Sequence, residues 1–272
     1  MIKNISTILT LYKTPLNKLH NLKQYKDFRL FLFEQEGNEF SEKKIKKILK
    51  LKFKYYFSKK NIGLSKASNF LLNKVKSKFL LFTQPDISIE KKDVLNLKKV
   101  FKVDKNIIFV TPNIINNKKD KKKNRYKIKF TKKIKAACIL CDVKKLKKIR
   151  FFDEDFFLYW EDIDLMKRIN QSKYKMVIAN NIYARHDSSQ SSGNTLKIQY
   201  LRKSNFMFGE LVFDLKYKKL RIIKILRKII QNFVLFFFNL IRFQLKDSLD
   251  NFSKVCGVIK FILYCFKKKI RL

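Results

Sequence analysis

Seven short apolar, β-rich runs, at residues 5–11, 28–33, 53–57, 79–83, 107–111, 137–141 and 175–179, alternate with helix-patterned segments along the first two thirds of the chain. Strands repeat every second residue and helices every 3.6, so this alternation restricts the chain to a layered α/β sheet. Between the second and third runs, Ser41 is placed to cap a helix through Leu51, with Glu42 in its first turn. Between the third and fourth, Leu64, Ala67, Leu71 and Val75 fall on one helical face. An open sheet of this kind binds ligands beyond the carboxyl ends of its strands, which directs attention to the loops after these runs.

The chain's 272 residues, 46% of them hydrophobic, suffice for one sizeable domain and an appendage. A formal net charge of +42 favours polyanionic company: phosphorylated lipid, a membrane surface, nucleic acid or nucleotide phosphates. Basic runs such as 118–123 sit between apolar segments and read equally as solvated loops. Nucleic-acid binding is disfavoured, because carboxylates concentrate between Asp153 and Asp164 and the aromatics lie inside apolar runs rather than between basic residues as stacking platforms. Of four cysteines only Cys138 and Cys141 stand at close spacing, and with His20 and His186 as the sole histidines a zinc site lacks its second half. The 137–141 stretch reads instead as a buried strand. No signal peptide precedes the 5–11 run, so the chain is expected to face the cytoplasm.

Strand signals fade from about residue 197, and basic-apolar segments follow at 220–245 and 255–272. The apolar stretch 229–241 holds Gln231, Asn232 and Asn239, and 255–266 contains Lys260, so neither supplies the roughly 20 apolar residues of a bilayer span. Flanked by Arg221, Lys224, Arg227, Lys228, Arg242 and Lys267 to Lys269, they read as interfacial helices drawn to anionic lipid, with packing as a helical pair on the core as the alternative. The expected division is a domain at 1–200 and a basic amphipathic helical tail at 201–272.

Four constellations carry candidate chemistry. Gly63, one of only five glycines, lies in Asn61-Ile62-Gly63 just before a helix, where a side chain would block the backbone. Asp86 follows the 79–83 run in Gln84-Pro85-Asp86, and a carboxylate beyond a strand's end can hold a divalent cation against a diphosphate. Asp162 stands near the start of a helix in which Leu165, Met166 and Ile169 follow at i+3, i+4 and i+7. That spacing turns Asp162 inward as a candidate general base, and leaves Glu161 or Asp164 to stabilise the helix start electrostatically. His186 lies in a polar loop after the seventh run, as a metal or diphosphate contact beside Arg185.

In order along residues 4–210, these pieces resemble the rhamnosyltransferase-like branch of glycosyltransferase family 2. Its Asn-x-Gly-x-x-x-Ala-x-Asn signature is met by Asn61, Gly63, Ala67 and Asn69, and its Asn-Pro-Asp metal motif by Gln84, Pro85 and Asp86. Its Phe-Asp-Glu-x-Phe-Phe-x-Tyr-x-Glu-Asp-x-Asp-Leu segment is met from Phe152 to Leu165, and its late histidine by His186. The resemblance implies a Rossmann-like nucleotide-diphospho-sugar transferase fold, the A-type glycosyltransferase fold, with a C-terminal helical tail. It further implies inverting, metal-dependent transfer of a sugar, rhamnose or a similar deoxysugar, from a nucleotide diphosphate to a lipid-linked or polysaccharide acceptor in cell-surface glycan synthesis. Asp162 then takes the base position, and Asp86 with His186 holds the divalent cation, Mg2+ or Mn2+. Thr10, Tyr12, Glu34, Asn61, Gly63, Asn69, Gln84 and Arg185 fall on the donor, and Trp160, Glu161 and Asp164 support the acceptor or the helix start. Glu34 stands where the family usually has a base-binding aspartate, and Gln84 where it has Asn or Asp. The implied place is peripheral, at the inner face of the cell membrane, with an anionic membrane surface as partner and no nucleic acid. An inactive scaffold of the same fold, or a basic nucleic-acid-binding protein, are the alternatives left open.

Overall fold

The computed structural model describes residues 2, 4–116, 127–187, 191–193 and 195–270, so the basic run 118–123 and Ser188, Ser189 and Gln190 lie outside the described residues. The chain forms two compact units, one of residues 1–152 with 165–193 and one of residues 153–164 with 194–272.

The strands are β1 (Ile5–Tyr12), β2 (Arg29–Gln35), β3 (Phe53–Ser58), β4 (Phe79–Thr83), β5 (Ile87–Ser88), β6 (Ile107–Ile115), β7 (Ile128–Thr131), β8 (Cys138–Asp142) and β9 (Lys175–His186). All seven expected runs are strands. The short β5 and β7 carry too little apolar pattern to be read in advance. One sheet runs β3-β2-β1-β4-β8-β6-β9-β5, with β7 on β9. β1 lies parallel between β2 and β4, β8 runs antiparallel to β4 and β6, and β9 is parallel to β6.

The period of two sorts this unit's core into two layers. Ile5, Leu9, Leu30, Leu32, Leu81 and Leu140 share one cluster with Leu19 of α1 (Leu16–Asn21), Ile45 and Leu49 of α2 (Glu39–Leu49), and Val94 and Leu97 of α4 (Lys91–Val100). Ile8, Phe31, Phe33, Leu80, Phe82 and Ile139 share the other with Leu71 of α3 (Leu64–Lys74), Leu146 of α5 (Val143–Ile149) and Leu165 and Ile169 of α6 (Glu161–Asn170). Cys138 and Cys141 point one to each layer and are fully buried, so the 137–141 stretch is the buried strand expected.

The expected helix face of α3 holds, with Ala67, Leu71 and Val75 buried. In α2 the cap is different. The Asn38 side chain accepts a hydrogen bond from the Ser41 N–H at 2.9 Å, so Asn38 is the N-cap and Ser41 lies within the first turn. Asn caps as well as Ser does, and its carbonyl reaches the N–H three residues on. Lys50, with φ 52°, closes the helix at its other end.

The second unit is helical: α7 (Leu196–Lys216), α8 (Ile222–Ile241) and α9 (Leu245–Lys267). Its core joins Phe156 to Met207, Leu211 and Val212 of α7, Ile225 of α8, and Val258, Phe261 and Cys265 of α9. One face of segment 255–266 is thus packed. Lys224 and Lys228, expected among the lipid-facing cations, are instead ion-paired to Glu210, and Lys224 also to Asp214. Among the described residues no helix is long and apolar enough to cross a membrane.

Phe109, on β6, is fully buried. Phe109→Ala is expected to lower the unfolding free energy by about 3–5 kcal/mol, read from denaturant midpoints, because the cavity cannot close between two packed layers.

Candidate active site

In the first unit the candidate side chains gather beyond the carboxyl ends of the parallel strands. At the end of β1, Thr10 is half-buried and Tyr12 donates its hydroxyl to Glu36 at 3.3 Å. At the end of β2, Glu34 accepts a short hydrogen bond from the Tyr55 hydroxyl, and burial together with that carboxylate pushes the Tyr55 phenol well above its ordinary range. Gln35 is buried, and its side-chain oxygen accepts from the N–H groups of Ile62 and Gly63 at 2.8 and 2.9 Å. Sequence reading passed over Gln35, since one amide among polar neighbours carries no pattern.

Asn61 and Gly63 shape one turn. The Asn61 side chain accepts from the Gly63 N–H at 3.0 Å, and Gly63 has φ 87°, a conformation L side chains rarely adopt. Asn69 directs both amide atoms to one backbone residue: Nδ2 donates to the Phe152 carbonyl at 2.8 Å, and Oδ1 accepts from the Phe152 N–H at 3.1 Å. The Asn61 to Asn69 signature thus builds a loop and anchors Phe152, with Ala67 fully buried.

Gln84 is half-buried and Asp86 almost fully buried, and the Asp86 carboxylate lies 3.4 Å from the His186 imidazole Nε2. The cause of this proximity is backbone pairing: Ile87 and Ser88 of β5 lie opposite His186 and Arg185 of β9, and the Asp187 N–H donates to the Asp86 carbonyl at 3.0 Å. His186 therefore ends a strand and does not sit in the polar loop expected after residue 179. β9 continues because β6 supplies it with partners through Ile115, past a register shift after Pro112. Beside the pair, Asp187 accepts from the buried ammonium of Lys18 at 2.7 Å and faces Arg185 at 3.5 Å. The Lys18 hydrogen bond above all, opposed by burial, holds the Asp187 carboxyl below its ordinary range. Lys18 was hidden among 64 basic residues.

In the second unit, α6 begins at Glu161, one residue later than the pattern suggested, after Tyr159 and Trp160 with φ 69° and 71°. Two successive left-handed residues rotate the helix start. The inward stripe accordingly reads Glu161, Asp164, Leu165 and Ile169, all buried, whereas Asp162 is half-buried at its edge rather than facing inward. Burial raises the Asp162 carboxyl above its ordinary value, against the pull of hydrogen bonds such as the one it accepts from the Ile163 N–H at 2.8 Å. Asp164 accepts from the Tyr217 hydroxyl at 2.9 Å and pairs with Lys216 at 2.6 Å, so it ties this segment to α7 and its neighbour. Asp155 accepts from Tyr264 of α9 at 2.8 Å. Gly209 of α7 admits the Trp160 ring, since a Cβ there would stand 2.9 Å from Trp160 Cδ1. Glu161 Oε2 and Trp160 Nε1 are buried with no hydrogen-bond partner among the described residues.

Residues 13–165, more than half of the chain, match the family model described as glycosyl transferase family 2. The chain belongs to glycosyl transferase family 2. No curated protein matches it. Solved structures do. GalNAc-T7, with UDP, GalNAc and Mn2+, is matched over 99% of this chain and 58% of that one, at TM-score 0.55 and 13% identity. The chain thus spans little more than half of that structure's length. A mannosyltransferase from Pyrobaculum calidifontis, in complex with GDP-Man and Mn2+, is matched over 97% and 75%, at TM-score 0.55 and 11% identity. S. aureus TarS 1-349 with UDP-GlcNAc is matched over 98% and 92%, at TM-score 0.53 and 12% identity. At such identities the likeness is one of fold, and this family-2 transferase has the A-type glycosyltransferase fold with a helical C-terminal region.

The family match ends at Leu165 and so takes in Asp86 and Asp162 but not His186, which joins Asp86 through the sheet. In this transferase the Glu161 carboxyl is pushed up from an ordinary 4.5 to about 8, chiefly by burial and then by the charge of Asp162. Between those values the folded chain holds a proton that the unfolded chain has lost, so this group's contribution to stability falls as pH rises through the window. Glu161→Gln is expected to match the wild type near the lower limit and to be the more stable of the two at the upper, measured as denaturation midpoints across the range. Parallel curves would refute the buried, proton-holding state.

Proposed function

We propose that this family-2 transferase moves a sugar from a nucleotide diphosphate donor to a hydroxyl of a lipid-linked or growing glycan, with inversion at the anomeric carbon. The observation that carries the reading is the Asp86 carboxylate lying 3.4 Å from His186 beyond the carboxyl ends of β4 and β9, where an open sheet binds its ligand. One carboxylate oxygen and one imidazole nitrogen fit Mn2+ or Mg2+ when water and diphosphate oxygens complete the shell. No cluster of three or more metal-ligating side chains occurs among the described residues. Bound there, the cation would neutralise charge on the diphosphate.

The remaining roles belong to the chain. Thr10, Tyr12 and Glu34 border the nucleotide, with the loop of Asn61 and Gly63, anchored by Gln35. Asn69 acts by holding Phe152, and Gln84 and Arg185 complete the donor's surroundings. Asp162, left at the edge of the buried stripe and raised in pKa, takes the proton of the acceptor hydroxyl. As that oxygen bonds to the anomeric carbon, the bond to the diphosphate oxygen breaks and the diphosphate leaves with the electron pair. Trp160, Glu161 and Asp164 hold the segment that presents Asp162. By resemblance the sugar is rhamnose or a similar deoxysugar used in cell-surface polysaccharide. The enzyme works at the inner face of a membrane.

The test is transfer from a panel of nucleotide sugars with and without Mn2+ or Mg2+. Asp162→Asn is expected to lower kcat roughly 10^2 to 10^4-fold, the usual worth of a positioned base. Asp86→Ala is expected to remove the response to the cation. In the wild type the acid limb of kcat/KM should lie above the ordinary carboxylate range, because the Asp162 carboxyl is raised. If the wild type and both variants behave alike, these assignments are wrong.

A further inference from the structure

A helix of a water-facing domain turns its apolar residues inward and its charges outward. α8 departs from this rule. Its ionic contacts face the unit, with Lys224 and Lys228 bound to Glu210 and Asp214, and the buried Asn232 bonded back to the Lys228 carbonyl. Ile225 is buried and Ile229 packs on the unit's core, but most of its other apolar residues face solvent. Ile223, Leu226, Ile230, Phe233, Phe237 and Ile241 recur every three or four residues along one face, and all lie between 45% and 76% exposed. From Ile223 to Ile241 this stripe is about 27 Å long at 1.5 Å of rise per residue. On α9, Ile259 and Leu263 are exposed as well, although Val258 and Phe261 beside them are buried. Contiguous apolar surface on this scale marks a contact site.

We infer that α8 lies in the plane of an anionic bilayer, with the Ile223 to Ile241 stripe inserted among the acyl chains and Arg221, Arg227 and Arg242 at the headgroups. Charge complementarity selects this occupant. The three arginines have exposed side chains and no carboxylate within ion-pair distance among the described residues. Glu210 and Asp214, the acidic groups of the adjoining α7, are already taken by Lys224 and Lys228. A second copy would bring the same unmatched cations and another net charge of +42, whereas anionic lipid supplies both the apolar and the negative complement. A spanning arrangement is not supported, since no described helix is long and apolar enough. The inference deepens the proposed function and rests on it in one respect: α8 belongs to the same compact unit as Asp153–Asp164, so a docked α8 carries the Asp162 segment to the surface where a lipid-linked acceptor resides.

The full chain is sedimented with phosphatidylcholine vesicles with and without phosphatidylglycerol. Binding is expected only with the anionic lipid, weakened about tenfold or more in Phe233→Glu/Phe237→Glu and in Arg221→Glu/Arg227→Glu, since each group contributes on the order of 1 kcal/mol. All four side chains are exposed, so circular dichroism should be unchanged. Phe237→Trp adds an indole in the stripe, whose emission should shift to the blue with anionic vesicles alone. Wild-type binding that the phenylalanine pair does not weaken would overturn the inference, as would absence of binding. A lipid-free dimer that the same pair abolishes would assign the stripe to a second copy and overturn it too. Donor hydrolysis without vesicles is read in parallel: its absence beside intact vesicle binding would sink the transferase reading and leave the lipid surface standing.

Discussion

The burial of β1, β4 and β8 on both faces is the constraint on which the rest of the first unit depends. Leu80, Leu81, Leu140 and Cys141 have no exposed surface, so no polar side chain can be accommodated along these strands without losing its hydration. Polar function is displaced to the strand ends. Parallel pairing of β3, β2, β1 and β4 then points several ends the same way, and Tyr12, Glu34, Gln35 and Gln84 follow one another there. The short β5 belongs to the same logic. By pairing with the end of β9 it brings a carboxylate and an imidazole together from distant parts of the chain.

Buried and half-buried polar groups at the rim are held by specific bonds. Gln35 satisfies two N–H groups of the Gly63 turn, Asn69 satisfies both backbone groups of Phe152, and Lys18 meets Asp187. In a low-dielectric setting each of these would be costly if left without its partner, which makes the loops they hold well defined. Family 2 and the A-type fold account for the frame of this arrangement. The roles assigned to Asp86, His186 and Asp162 are chemistry proposed on that frame.

The helical unit obeys a different balance. Asp153, Asp155 and Asp164 of the 153–164 segment pair with Lys216 and Lys268, and Asp164 and Asp155 accept from the hydroxyls of Tyr217 and Tyr264. Acidic groups on α7 are used up by Lys224 and Lys228. With Lys224 and Lys228 turned inward, much of the apolar surface of α8 is left outside, an arrangement that water penalises and a lipid interface rewards.

All strands but the short β5 and β7 were legible in the sequence, because burial in the sheet leaves runs rich in apolar and aromatic residues. The carboxylate motif from Asp153 to Asp164, Gly63 and the Asp86 turn were legible for the same local reason: backbone conformation and short spacing constrain which residues can stand there. What depends on contacts between distant segments was not. The Asp86 to His186 approach arises from a two-residue strand too short to show a pattern. The helix phase that buries Asp164 and leaves Asp162 at the edge follows from left-handed Tyr159 and Trp160, and Gly209 opposite makes room for the Trp160 ring. Which lysines are ion-paired and which cations stay outside was decided by where Glu210 and Asp214 project from α7. Local periodicity determined the elements, and only the tertiary structure determined their pairing, since a charge or hydrogen-bond partner is chosen by distance in space.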